Sequence, residues 1–249
     1  PLVLRFFWFG FTMLGRGFLN TTQMAKKILV ACEESQAITK EFRALGYEAY
    51  SCDLLPASGG CPEWHIQGDA IAEAYSGKYD LMVAHPPCTY LAVSGNRWLY
   101  NKDGSRNEER YKAQAEALEF VRVLMKAPIK HIAIENPVSV ISSKIRKPEQ
   151  IIQPWQFGDE AQKTTCLWLK NLPKLEHTKI VDKGSFWEFT SKKGKKKRFS
   201  KWYTDALTKA KTPEERRTLR SKTFPGIAKA VADQWSKALE EDYNNELFN

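Results

Sequence analysis

The sequence has no C-x-x-C pair, no G-x-G-x-x-G turn and no long apolar run free of charge. Each absence excludes something. The five cysteines, at 32, 52, 61, 88 and 166, are odd in number and scattered. A disulfide framework and a zinc site are therefore not expected, and a reducing, cytoplasmic setting is. His85 has no second His or Cys at ligand spacing, so no metal is expected there. Residues 1–23 are apolar and aromatic, but they carry Arg5 and Arg16 and are too short for a confident membrane span. They show no small-residue cleavage site. Met24 stands just before a clean strand, and 1–23 are expected to be an extension outside the native fold, with no membrane partner.

Acids are scarce in one place. Residues 183–222 hold fourteen Lys or Arg against four Asp or Glu, a balance of +10, while the whole chain carries +9. One segment supplies all the basic character. A localised basic segment points to a polyanion partner, most often nucleic acid. Hydrophobic residues make up 43% and charged residues 27%, the balance of a globular chain.

What is present alternates. Lys27–Cys32 reads as a buried strand, 34–45 as a helix ended by Gly46, and Tyr47–Cys52 as a second strand closed by Asp53. Short strands follow at 65–67 and 79–84. A long amphipathic helix spans 108–126, a strand 131–135, and two more strands 151–157 and 164–169. Residues 183–203 are basic and aromatic with weak periodicity, 213–221 form a charged helix and 227–241 a closing one. Strands alternating with helices predict an α/β fold of Rossmann-like type, a doubly wound and mostly parallel sheet. A single domain over 24–249 is expected, with 176–222 as a small basic insertion.

The chemistry concentrates after strands. Residues 84–90 read A-H-P-P-C-T-Y. Pro86 and Pro87 cannot donate to a ladder, so the strand stops and Cys88 falls on a stiff loop at its carboxyl end, where open α/β sheets bind ligands. A lone cysteine is often packing alone. Glu135 changes the weighing, because I-E-N-P ends the next strong strand and should emerge on the same edge. A nucleophilic thiol beside a carboxylate suits addition to an electron-poor ring. The first turn, Ala31-Cys32-Glu33-Glu34-Ser35, has two acids where a phosphate site needs glycines. A cationic or zwitterionic ligand such as S-adenosylmethionine fits better, unless both glutamates merely favour the helix start. Asp53 is placed to accept from ribose hydroxyls and Asp69 from an adenine amino group, or both are ordinary turn residues.

In order, A-C-E-E-S, D, G-D, P-P-C, E-N-P, K-T-T-C-L-W-L and F-P-G-I-A-K-A resemble the cytosine-C5 DNA methyltransferases. The stretches P-E-W-H-I-Q-G-D, A-H-P-P-C-T-Y-L, I-I-Q-P-W-Q-F-G, T-C-L-W-L-K-N-L-P and S-K-T-F-P-G-I-A are similar to a compact phage and prophage group of them. The resemblance spans about residues 27–238. It implies a class I S-adenosylmethionine-dependent methyltransferase acting in the cytoplasm of a bacterial or phage-infected cell, as a monomer. It implies Cys88 attacking cytosine C6 and Glu135 stabilising the ring at N3, with Pro86 at the cofactor. Pro87, Asn136, Lys163, Thr164 and Thr165 would lie at the target base or its phosphate. Arg97, in the loop after the cysteine, is placed to close over the site when substrate binds, or is an ordinary surface-loop residue.

The departures are specific. The first turn lacks F-x-G-x-G, Thr89 replaces Gln after the cysteine, and Gln162-Lys163-Thr164-Thr165 replaces an arginine-rich strand. The large target-recognition domain is reduced to about 50 residues, 176–222. There Lys195, Lys196, Lys197 and Arg198 are flanked by Phe186, Trp187, Phe189, Phe199, Trp202 and Tyr203. That pattern suits phosphates and unpaired bases, or a β-hairpin anchored to the core. The DNA is expected as duplex with a flipped cytosine, or as a single strand. Alternative readings are an amino methyltransferase, whose D-P-P-Y-type loop A-H-P-P-C-T-Y superficially matches, a free-nucleotide enzyme, or a non-catalytic DNA-binding protein.

Overall fold

The computed structural model describes residues 26–191 and 194–247. The extension at 1–23 and Lys192 and Lys193 lie outside the described residues. Nine strands are described: β1 (Lys27–Ala31), β2 (Glu48–Asp53), β3 (His65–Gln67), β4 (Leu81–Ala84), β5 (His131–Pro137), β6 (Gln150–Ile152), β7 (Thr165–Lys170), β8 (Phe186–Thr190) and β9 (Lys196–Ser200). The described helices are α1 (Ala37–Ala44), α2 (Ala70–Ala74), α3 (Glu108–Met125), α4 (Ile141–Lys144), α5 (Lys201–Lys209), α6 (Pro213–Ser221) and α7 (Pro225–Leu247).

Seven strands form one sheet in the order β3-β2-β1-β4-β5-β7-β6. β1 to β5 are parallel to their neighbours; β7 runs antiparallel to β5 and β6 antiparallel to β7. This is the expected α/β architecture, mostly parallel and compatible with a Rossmann-like fold. β1 and β4 are unbroken apolar runs, as a strand covered on both faces must be. Alternate side chains feed two cores. Ile28 and Val30 pack with Phe42 of α1 and Trp235 of α7, whereas Leu29 and Met82 pack with Leu124 of α3 and Trp168. Leu29, Ile28, Leu81 and Trp168 are wholly buried, each contributing about 1.5–3 kcal/mol of apolar burial. The order reverses between β1 and β4, a switch point at which such sheets open a crevice for ligands.

Several elements differ from the expectation. α1 starts at Ala37 rather than 34, because Cys32 and Gln36 take left-handed backbone (φ 59° and 58°). The strand expected over 151–157 ends at Ile152, since Pro154 opens a 3-10 turn. The short α2 and α4 were not expected. Residues 183–203 resolve into the β8–β9 hairpin and the start of α5, and the hairpin forms its own two-stranded sheet. No helix among the described residues is long and apolar enough to cross a membrane.

Candidate active site

The carboxyl ends of β1, β4 and β5 are tied together. The His85 amide donates to the Ala31 carbonyl at 2.9 Å, continuing the ladder one residue past β4. The Asn136 side-chain amide donates to the Pro86 carbonyl at 2.8 Å. The two loops expected to carry the chemistry are therefore pinned to each other by a buried bond. Arg110 of α3 adds a third tie, donating to the Thr89 carbonyl at 3.2 Å and lying over the Tyr90 ring. Cys88 rides on this braced loop and is exposed.

Glu135 leaves β5 on the same edge, as its strand position predicts. Its carboxylate meets His85 Nδ1 at 3.0 Å, with both side chains largely buried. Burial works against the charged carboxylate, but the His85 bond and the charges of Lys163 and His85 outweigh it and hold the carboxyl below its ordinary range. Burial likewise opposes the imidazolium, and the bond and charge of Glu135 outweigh it, so His85 is raised. Although Cys88 is reachable by solvent, desolvation by the protein around it and then the charge of Glu135 push its thiol up, while Lys163 and Arg220 pull it down. Lys163 is held by the carbonyls of Ser221 and Lys222 at 3.4 and 3.1 Å. His85, Glu135, Lys163 and Thr165 border a small cavity walled by Phe224, Ile227 and Trp235.

A larger cavity, partly open to solvent, lies on the other face of the sheet, against the second core. Cys32, Asp53, Asp69 and Pro86 line it, four of the eight residues expected to hold a cofactor. Pro87, expected at the target base, lines it too. Asp53 accepts from the Leu55 amide at 2.9 Å and Asp69 from the Ile71 amide at 2.9 Å, so one oxygen of each is engaged by its own turn. Asp69 is thereby also the N-cap of α2. The walls are Leu54, Tyr90, Ala117 and Phe120. Tyr90 belongs to the A-H-P-P-C-T-Y stretch, but Ala117 and Phe120 gave no signal beyond helical spacing. Cys32 is no nucleophile: burial and then the charge of Asp53 push its thiol up to about 12.

Glu33 needs correcting. It was expected to face a cationic ligand, but it is buried and its carboxylate accepts from the Ile38 amide (2.7 Å), the Thr39 amide (3.3 Å) and the Thr39 hydroxyl (2.7 Å). It caps α1, which is the helix-start alternative. Ala31, Glu34 and Ser35 do not line the larger cavity. The Glu34 carbonyl accepts from the Ser58 amide at 2.8 Å, and Gln36 exchanges two bonds with the Cys61 backbone. A Cβ on Gly59 would stand 2.5 Å from the Ser35 carbonyl oxygen, so only glycine lets that loop lie on the turn. The first turn thus supports the cavity from behind.

Of the remaining expected residues, Thr164 is engaged by Gln153 at 2.7 Å. Arg97 is exposed over the Trp98 ring, and Lys195, Lys196, Lys197 and Arg198 are exposed on the hairpin, away from the cavities. No cluster of three or more His, Cys, Asp or Glu able to hold a metal occurs among the described residues. A scan against protein-family models and a search of curated proteins found no match to this chain.

Proposed function

We propose that the chain transfers a methyl group from S-adenosylmethionine to C5 of cytosine in DNA, through a covalent bond between Cys88 and C6. The observation that carries this reading is the pairing of an exposed thiol with an ionised carboxylate on adjacent, mutually pinned strand ends. The larger cavity fits the cofactor by its chemistry. Its apolar and aromatic walls suit an adenine ring, and Asp53 and Asp69 offer carboxylate acceptors to hydroxyl and amino donors. Bound there, S-adenosylmethionine would supply an electrophilic methyl group.

The chain's own residues do the rest. The raised Cys88 thiol must lose its proton before it can attack; Lys163 and Arg220 favour the thiolate. Addition of sulfur to C6 pushes an electron pair toward N3 and C5. The Glu135–His85 pair, in contact at 3.0 Å, would lend a proton to N3 as sulfur adds and take it back when the thiolate departs. After C5 is methylated, a base removes its proton, the C5–C6 double bond reforms and the thiolate departs. The cytosine must first leave the stack, at a cost of about a few kcal/mol.

The test is trapping with DNA containing 5-fluorocytosine, in which fluorine blocks the final proton loss. A covalent adduct mapped to Cys88 is expected in the presence of S-adenosylmethionine. Cofactor binding with no adduct on any DNA would move the reading to amino transfer, a free nucleotide or a binding role.

A further inference from the structure

The β8–β9 hairpin leaves its aromatic side chains in solvent. Trp187 is 59% exposed, Phe189 47% and Phe199 40%. In an antiparallel pair, opposed residues share a face and so do i and i+2. Trp187 opposes Phe199 and Phe189 opposes Lys197, so all four stand on one face. Phe189 and Phe199 are stacked at 5.6 Å and 16°. The row then continues off the hairpin: Phe199 stacks on Tyr203 of α5 at 6.3 Å, and Arg220 of α6 lies over Tyr203 at 4.7 Å. Ser221 and Lys222, which follow Arg220, hold Lys163 through their carbonyls, and Lys163 borders the cavity of His85 and Glu135. An aromatic row therefore runs from the exposed hairpin toward the candidate site.

The opposite hairpin face is different. It carries Lys196 and Arg198, with the Arg198 guanidinium 3.5 Å over the Phe186 ring. Basic residues thus flank the aromatic row on both faces: Lys197 stands beside it, and Lys196 and Arg198, the latter opposed to Glu188, lie behind it. A duplex hides its base faces and presents phosphates to such a surface, whereas a single strand exposes both. Large exposed aromatics in a segment of +10 net charge match an unpaired polyanion with flat rings.

We infer that the hairpin face of Trp187, Phe189 and Phe199 is a stacking platform for single-stranded DNA, which it leads along Tyr203 and Arg220 toward the candidate site. That DNA is the occupant rests on the methyl-transfer reading above; the stacking itself does not.

The experiment is fluorescence anisotropy of the full chain with labelled oligonucleotides of about 20 residues. The probes are a thymine-only single strand, a duplex and an RNA strand, each over a salt series. A thymine strand offers no cytosine, so binding is read independently of chemistry. The single strand should bind at least about tenfold tighter than the duplex. Trp187→Ala with Phe189→Ala should cost about tenfold or more in single-strand affinity and leave the salt slope unchanged, while Trp187→Phe retains most of it. Replacing Lys195, Lys196, Lys197 and Arg198 by Gln should flatten the salt slope instead. Equal affinity for duplex and single strand, an unaffected Trp187→Ala/Phe189→Ala variant, or much tighter RNA binding would each overturn the inference. Platform binding without a trapped adduct would refute the methyl-transfer reading alone.

Discussion

Replacing His85 by Ala should reshape the pH dependence of stability. His85 and Glu135 meet at 3.0 Å with side chains 14% and 19% exposed. Two unit charges about 4 Å apart attract by about 4 kcal/mol at an effective dielectric of 20. Desolvation consumes much of that. Truncation also leaves Glu135 with only Lys163 as a neighbouring cation among the groups that act on it. The net loss should be about 2 kcal/mol. His85 is raised above its ordinary 6.5, so its share is full below that value and fades as pH climbs through the higher folded-state value. Glu135 is lowered from 4.5, so its share is full above that value and fades as pH falls through the lower folded-state one. Glu33 and Lys163 also act on His85, from either sign. The gap between the wild type and His85→Ala should therefore be widest between about pH 4.5 and 6.5 and narrow on both sides. For a chain of this size it corresponds to about 4–8 °C in Tm. Thermal unfolding by circular dichroism across about pH 4 to 9 measures it. A gap independent of pH, or one that widens steadily toward alkaline pH, would refute the pairing.

Glu33→Ala should cost about 2–4 kcal/mol in urea unfolding, because two amides and a hydroxyl at the start of α1 lose their buried acceptor. Gly226→Ala should be worse than its size suggests: the new Cβ would stand 1.9 Å from the Phe157 carbonyl oxygen, and the fall in Tm should far exceed that of an unhindered Gly→Ala control such as Gly68, where a Cβ meets nothing. Asp53→Asn and Asp69→Asn should each weaken S-adenosylmethionine binding about tenfold in calorimetry, with Tm changed little by either. Cys88 is raised by burial and by Glu135, so its alkylation by iodoacetamide should be slow near neutrality and accelerate as pH rises; Lys163→Gln should slow it further.

The strands were legible because β1 and β4 are continuous apolar runs with sharp stops, and the Pro86-Pro87 break placed Cys88 correctly. Glu135 was legible by the same reasoning about strand ends. The roles of individual polar residues were not. Glu33 looks the same in sequence whether it faces a ligand or turns inward, and the outcome depends on Gln36 entering left-handed backbone and aiming the helix amides at it. His85 was read only for its lack of a metal-ligand partner, since its bond to Glu135 crosses 50 positions. The hairpin was masked by its own exposure. Both of its faces are aromatic and charged, so the alternation that marks a half-buried strand is absent.

That hairpin shares no hydrogen-bonded strand with the seven-stranded sheet. Among the described residues its segment meets the rest of the fold at Gly184, where a Cβ would strike the Glu160 carbonyl, at Lys183 over Trp155, at Trp202 against Phe224 and Lys163, and at the Lys163 bonds to Ser221 and Lys222. Such a segment is an exchangeable cassette. Its surface can drift, lengthen or be replaced without disturbing the register of β1, β4 and β5 or the bond between Asn136 and Pro86. A graft confined to the β8–β9 hairpin would leave Arg220 and the Lys163 bonds in place, and is the natural unit for altering that surface while preserving the strand ends.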